Sequence, residues 1–261
     1  MIHPTAIIGD EVTLGQDVAI GPYCVLEGRL RIGDGSRLGP HVHISGFTTI
    51  GAEAEIHAGA VIGDEPQDIH YKGEESYTQI GDRCVIREYV TIHRGADAGS
   101  TTVIGNGVML MGLSHVAHNC HLEDHVIVAN GSLLAGHVHV GRRAFLSGGV
   151  MVHQFCRIGT MAMVHGGERI TQDVPPFAMM AEGGIRGPNT VGLRRAGIAP
   201  EARKAIKQAM RIYFAPGANR SLALEEIRRT LGGIPEVALF VDFAEVTKRG
   251  LVPGRGRPLE E

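Results

Sequence analysis

Residues 104–128 read IGNGVMLMGLSHVAHNCHLEDHVIV, and an aliphatic residue stands at every sixth place: Ile104, Leu110, Val116, Leu122 and Val128. The series extends outward in both directions. Toward the N-terminus it passes through Ile92, Ile86 and Ile80, then from Ile62 back to Ile2; toward the C-terminus it continues from Leu134 to Ile170. The exceptions are Asp68, Glu74 and Ala98, and the phase is kept across them. A period of six matches neither the 3.6 of a helix nor the 2 of a simple strand. It describes a short strand, a tight turn, and another strand at a fixed rotation. Three such units close one triangular coil of eighteen residues, and coils stack as parallel strands roughly 4.8 Å apart. The period predicts a parallel β-helix over residues 1–185. Left-handedness is taken from the hexapeptide pattern's resemblance to known left-handed coils, since a period carries no hand.

Glycine makes up 37 of the 261 residues, about twice its ordinary share. Many glycines directly follow the aliphatic position, as Gly21, Gly33 and Gly105 do. They are expected to supply permissive backbone at the corners. The net charge of -3 gives no global field for nucleic acid or an anionic membrane. There is no apolar run of transmembrane length and no signal-peptide pattern, so no membrane insertion and a cytoplasmic location are expected. Cys24, Cys84, Cys120 and Cys156 each lie four residues after a series position, a slot otherwise held by small residues such as Ala54 and Ala60. They read as buried, reduced core filler, and no CxxC spacing supports zinc or a disulfide.

Two stretches interrupt the coils. Residues 64–79, DEPQDIHYKGEESYTQ, are polar and long for a corner. They are expected to project as a loop carrying binding residues, with Asp68, His70 and Tyr71 foremost. Residues 95–100, GADAGS, form a shorter bulge. Val174-Pro175-Pro176-Phe177 is expected to end the coil, because two prolines remove ladder donors. Residues 178–190 then read as a glycine-rich connection. A small helical domain follows over 190–250, with helices predicted over 200–214, from Ser221 to about Gly232, and from Pro235. In the third helix Val237, Phe240, Val241, Ala244 and Val246 are the packing candidates. The tail 251–261 is expected to be disordered. From Arg186 to Arg211 the chain carries Arg194, Arg195, Arg203, Lys204 and Lys207 among seven basic residues, against Glu201 alone. This basic run suits an acidic partner or a solvated helix face.

Chemistry concentrates in residues 110–155. Val116, Leu134 and Val152 are eighteen apart and should stack. His118, His137 and His153 follow them closely, so their side chains are expected near one corner on successive layers. His115 flanks the same register. One positioned imidazole suffices for general-base chemistry near neutral pH. Gly136, next to His137, could offer an unobstructed backbone N–H to a developing oxyanion. Three imidazoles could also hold zinc, with His118 and His121, or His121 and His125, as loose candidate pairs. An inert surface ladder is the third reading.

At these residues the chain resembles a family, the UDP-N-acetylglucosamine 3-O-acyltransferases that open lipid A biosynthesis. The phrases that carry the resemblance are HPTAIIG (3–9), IREYVTIHRG (86–95), SHVAHNC (114–120), LLAGHVHVG (133–141), VHQFCRIG (152–159) and TQDVPPFAM (171–179). The resemblance implies transfer of an R-3-hydroxyacyl chain from acyl carrier protein to the 3-hydroxyl of a UDP-sugar, without cofactor or metal. It implies His118 as general base, Gly136 as oxyanion donor and His137 near the sugar. His115 and His153 are implied as active-site polar groups, and Gln154 beside the acyl path. It further implies Asp68 on the sugar, with His70 where the family commonly has Lys, and Glu182 and Arg194 near nucleotide or phosphate. Met161, His165 and Gly166 are implied as setters of acyl length. Arg194, Arg195, Arg203, Lys204 and Lys207 would dock the acidic carrier, and a homotrimer would place sites between subunits. Asn119 stands where the family often has Asp; it can orient the imidazole but cannot stabilise imidazolium by charge. Acyl transfer to a 3-amino sugar analogue, a related hexapeptide acyltransferase, a trimeric zinc carbonic anhydrase and a non-catalytic scaffold remain as alternatives.

Overall fold

The computed structural model describes residues 1–255. Residues 1–181 wind into a left-handed parallel β-helix with three flat faces; among the described residues the three sheets hold nine, eight and ten strands, the tenth being the antiparallel strand Gly184–Pro188. The first face runs from Ile7–Ile8 to Arg169–Ile170, the second from Val12–Leu14 to Arg157–Ile158, and the third includes Ala19–Ile20 and Met163–Val164. Strands pair in strict register: Val116 stacks on Leu134, and Leu134 on Val152. From Ile20 on, the aliphatic series residues are buried in the core, with Ile44, Ile62, Leu110, Val116 and Leu134 fully so. Two coils are longer than eighteen residues. Ile62 pairs with Ile92, so the coil holding the 64–79 loop is twelve residues longer. Ile92 pairs with Val116, so the next is six longer. Both insertions are whole multiples of the repeat, which is why the phase survives them.

The glycines have a different role from the one expected. Of those directly following an aliphatic series position, only Gly63 has a left-handed backbone (φ 77°). At Gly33 a Cβ would lie 2.5 Å from the carbonyl carbon of Gly51 on the next coil. These glycines permit close stacking of coils. The left-handed position falls three residues after the aliphatic one, and side chains occupy it: Asn119 (φ 59°), His137 (60°) and Phe155 (63°). Such residues ordinarily avoid this region, so the coil geometry imposes it. The four cysteines are free and fully buried, and burial pushes the Cys120 thiol up to about 12.

The coil does not stop at the prolines. Ala178–Ala181 pairs in parallel with Met163–Val164 and turns back as Gly184–Pro188 in an antiparallel hairpin. The stretch expected to be a plain connection therefore closes the third face. Among the described residues four helices follow: α1 (Thr190–Arg195), α2 (Pro200–Tyr213), α3 (Arg220–Leu231) and α4 (Pro235–Glu245). Helix α1 was not predicted; its signal was Asn189, whose side chain accepts the N–H of Gly192. Asn219 caps α3, whose first residue, Arg220, comes one before the expected start at Ser221. Val237, Phe240, Val241 and Ala244 of α4 are buried as expected; Phe243 joins them, while Val246, just past the end of the helix, is 63% exposed. The start of the tail is ordered rather than loose. Leu251 bridges to Asp173 and Gly254 to Ile185, while residues 256–261 lie outside the described ones. Asp173, nearly fully buried, accepts the Arg157 N–H at 2.8 Å and the Thr247 hydroxyl at 2.8 Å, fastening the helical domain to the coil. Among the described residues no helix is long and apolar enough to cross a membrane.

Candidate active site

The corner joining the first face to the second carries the chemistry. On three successive layers it holds Ala117-His118-Asn119, Ala135-Gly136-His137 and His153-Gln154-Phe155. His118 sits beneath Gly136. A Cβ on Gly136 would lie 2.6 Å from both Cε1 and Nε2 of the imidazole, so glycine is what makes room for the ring. The N–H of Gly136 donates to no acceptor among the described residues. His137 meets the His118 ring edge-on at 5.2 Å and stacks on Phe155 at 4.6 Å. Burial, then the neighbouring His118, holds the His137 pKa below its ordinary value.

Both nitrogens of His118 face groups tied to the insertions. Asn119 Oδ1 lies 2.9 Å from His118 Nδ1 and 2.9 Å from the Ala96 N–H. A backbone N–H can only donate, so the Asn119 atom it meets is oxygen, and the ring nitrogen sharing that oxygen must donate as well. Nδ1 therefore carries a proton, and in the neutral ring the lone pair is on Nε2. Ala96 belongs to the 95–100 bulge. On the other side Nε2 faces Asp68 Oδ2 at 3.9 Å, from the 64–79 loop. Asp68 Oδ1 accepts the His70 N–H at 2.8 Å, and its carbonyl accepts the Tyr71 N–H at 3.1 Å. The two departures from the repeat thus converge on one imidazole.

A groove of about 500 Å³ opens beside it. His115, His118, Gly136, His153 and Gln154, all expected at the site, line it, together with Gln67, His93, Leu133, Met151 and Arg169. His93 was missed. It follows Ile92 by one residue, the slot His153 occupies, but the six-residue insertion hides that layer from a count of eighteen. His93 meets His115 at 5.2 Å, and its Nδ1 bonds the Glu65 carbonyl at the loop's base. His115 Nδ1 lies 2.7 Å from Thr91 Oγ1. Burial, with lesser help from His93 and His118, lowers the His115 pKa to about 4.

That shift predicts an acid weakness. The unfolded chain takes up a proton on His115 near pH 6.5, whereas the folded chain resists until about pH 4. Folding stability should fall as pH drops from 6.5 toward 4, because the unfolded state binds more protons. His115→Gln should flatten that part of the curve of melting temperature against pH; an unchanged slope would contradict this account.

Several expected site residues stand elsewhere in the chain. The His70 side chain is exposed and does not line the groove. Glu182 lies in the turn of the final hairpin, ion-paired with Arg186. Arg194 and Arg195 are exposed on α1, and Lys204 and Lys207 on α2. Arg203 is half-buried, with Nε lacking an acceptor among the described residues. Met161 lies on the corner between the second and third faces, and His165 and Gly166 on the corner between the third and first. None of these lines the groove of the same chain. Among the described residues, no three His, Cys, Asp or Glu side chains converge as metal ligands.

A solved UDP-N-acetylglucosamine acyltransferase from Bacteroides fragilis has this architecture. It matches with a TM-score of 0.94 at 38% identity, over 97% of this chain and 100% of that one. The acyl-(acyl-carrier-protein)–UDP-N-acetylglucosamine O-acyltransferase of Thermodesulfovibrio yellowstonii is 43% identical over 253 residues, 96% of this chain and 98% of its own. The chain belongs to the UDP-N-acetylglucosamine O-acyltransferase family. The counterpart from Synechocystis agrees at 44% identity over 262 residues, 97% of this chain and 94% of its own. Residues 173–252 match the family model described as UDP N-acetylglucosamine O-acyltransferase domain 2. Residues 30–64 and 101–136 match the bacterial transferase hexapeptide model. The family assignment thus spans both the coil and the helical domain.

Proposed function

We propose that the chain transfers an R-3-hydroxyacyl group from acyl carrier protein to the 3-hydroxyl of UDP-N-acetylglucosamine, with His118 as general base. The observation that carries this is the tautomer of the neutral ring: Asn119 holds the His118 Nδ1 proton, which leaves the lone pair on Nε2 of a histidine that lines the groove. Nε2 takes the proton of the sugar hydroxyl as its oxygen attacks the thioester carbonyl. The carbonyl oxygen gains negative charge beside the uncommitted Gly136 N–H, a donor of the kind an oxyanion needs. The tetrahedral centre collapses, the carbon–sulfur bond breaks, and the thiolate recovers the proton from His118. The thioester is already activated, so the reading needs no cofactor and no acyl-enzyme.

The imidazolium formed on the way requires a nearby negative charge. Asn119 has none; Asp68 supplies it from the loop, 3.9 Å from Nε2. This favours an assignment of Asp68 to both the sugar and the base. The exposed basic groups of α1 and α2 fit an acidic carrier. The reading includes a homotrimer. Its support is the apolar surface at the groove's edge: Leu133 is 45% and Phe155 52% exposed. A neighbouring chain would cover that surface and bring its own His165–Gly166 corner to the groove, where length selection by those two residues could then act; Met161 stands on another corner.

The test offers the purified chain 3-hydroxyacyl carrier-protein donors of several lengths with UDP-N-acetylglucosamine or its 3-amino analogue. Ester formation with the hydroxyl acceptor is the expected result. Exclusive amide formation would overturn the acceptor assignment, and no transfer from any donor would overturn the reading.

A further inference from the structure

Arg94 lies outside the groove, yet its guanidinium gathers the loop that feeds it. Its side chain is only 12% exposed. Nη1 donates to the Gly63 carbonyl at 3.0 Å, where the loop leaves the coil. Nη2 and Nε both donate to the Tyr71 hydroxyl oxygen, at 2.9 and 3.2 Å. The Tyr71 O–H in turn donates to the Glu74 carbonyl at 3.0 Å, and the guanidinium lies 5.5 Å from the Tyr71 ring centroid. Glu65 completes the set at 3.4 Å. Space is reserved for this group as well, since a Cβ on Gly46 would lie 3.0 Å from Nη1. One planar cation therefore ties Gly63, Glu65 and Tyr71 together, and Gln67 and Asp68 lie within the span so closed. Asp68 itself bonds only inside the loop, to the His70 and Tyr71 N–H groups. Its approach to His118 Nε2, at 3.9 Å, is too long for a hydrogen bond and does not by itself fix that distance.

We infer that Arg94 is a positioning residue: it latches the 64–79 loop to the coil through Tyr71 and Gly63, and so fixes Gln67 and Asp68 against His118. A lysine cannot replace it, because a point-like ammonium lacks the fork that reaches two separate acceptors at once. The inference uses the acyl-transfer reading for its assay, while the latch itself rests on geometry alone.

The experiment compares wild type with Arg94→Ala, Arg94→Lys and Tyr71→Phe. It measures kcat, the KM for the UDP-sugar, the KM for the acyl donor, and melting temperature. Arg94→Ala should raise the acceptor KM at least about tenfold and leave the donor KM within about twofold. Tyr71→Phe should move the acceptor KM the same way by less. Added methylguanidinium should partly restore Arg94→Ala, and Arg94→Lys should stay impaired. An unchanged acceptor KM, or both KM values rising with a lowered melting temperature and no rescue, would overturn the latch. Should Arg94→Ala fail to fold, Tyr71→Phe and Arg94→Lys decide by the same split. Should wild type transfer nothing, the acyl-transfer reading falls. Hydrogen exchange then judges the latch: residues 65–74 lose protection in Arg94→Lys if it exists and keep it if it does not.

Discussion

His118→Ala should lower kcat for acyl transfer by roughly 10²–10⁴-fold, the usual worth of a positioned general base. The reason is local and complete. A sugar hydroxyl is a weak nucleophile until its proton has somewhere to go, and Nε2 is the one ring nitrogen whose lone pair is not committed. The KM for the UDP-sugar should change little, because Gln67, Asp68 and His115 remain. Folding should be intact, since His118 lies at a corner and the core beneath it is Val116 and Cys120. Kinetics at saturating donor, with circular dichroism as control, decide the matter. Near-normal kcat in a folded His118→Ala protein would remove the residue from the mechanism.

The second large effect is expected from one methyl group. Gly136→Ala places a Cβ where the His118 ring now lies, 2.6 Å from Cε1 and Nε2. Real carbon atoms do not approach so closely, so the imidazole must swing away from its bond to Asn119 or the two coils must separate. Displacement of a catalytic group by about 1 Å is enough to cost on the order of 10²-fold. The loss should fall on kcat and mimic His118→Ala without touching a titratable group. Gly9→Ala, in the first coil, is the matched control. Its Cβ would lie 3.3 Å from the Leu26 carbonyl oxygen, a tight but lesser contact far from the imidazole. Gly136→Ala kinetics equal to those of Gly9→Ala would contradict this account of the glycine.

The hexad series made the scaffold legible because periodicity is a local property. Side chains six apart face the same interior whatever the rest of the chain does, so the core and the cysteine slot could be read directly. The corner shared by His118, His137 and His153 followed from the same arithmetic, as their coils have the standard length. His93 escaped it, because the bulge at 95–100 lengthens its coil. The role of the stacking glycines was misjudged for a related reason. Their constraint comes from backbone on the neighbouring coil, while the left-handed position three residues on carries ordinary side chains such as Asn119. Residues 178–188 looked like a linker because their pairing partner, Met163–Val164, is set by coil closure and not by their own composition.

Sequence by itself determined the three-faced coil, its inward residues and the corner where the histidines gather, since each depends only on position within the repeat. Tertiary structure alone decided how His118 is held. Asn119 meets Ala96 of one insertion, and Asp68 arrives from the other under the grip of Arg94. Those contacts join segments whose separation is no multiple of the coil, and only the folded loops bring their polar groups within reach of one imidazole.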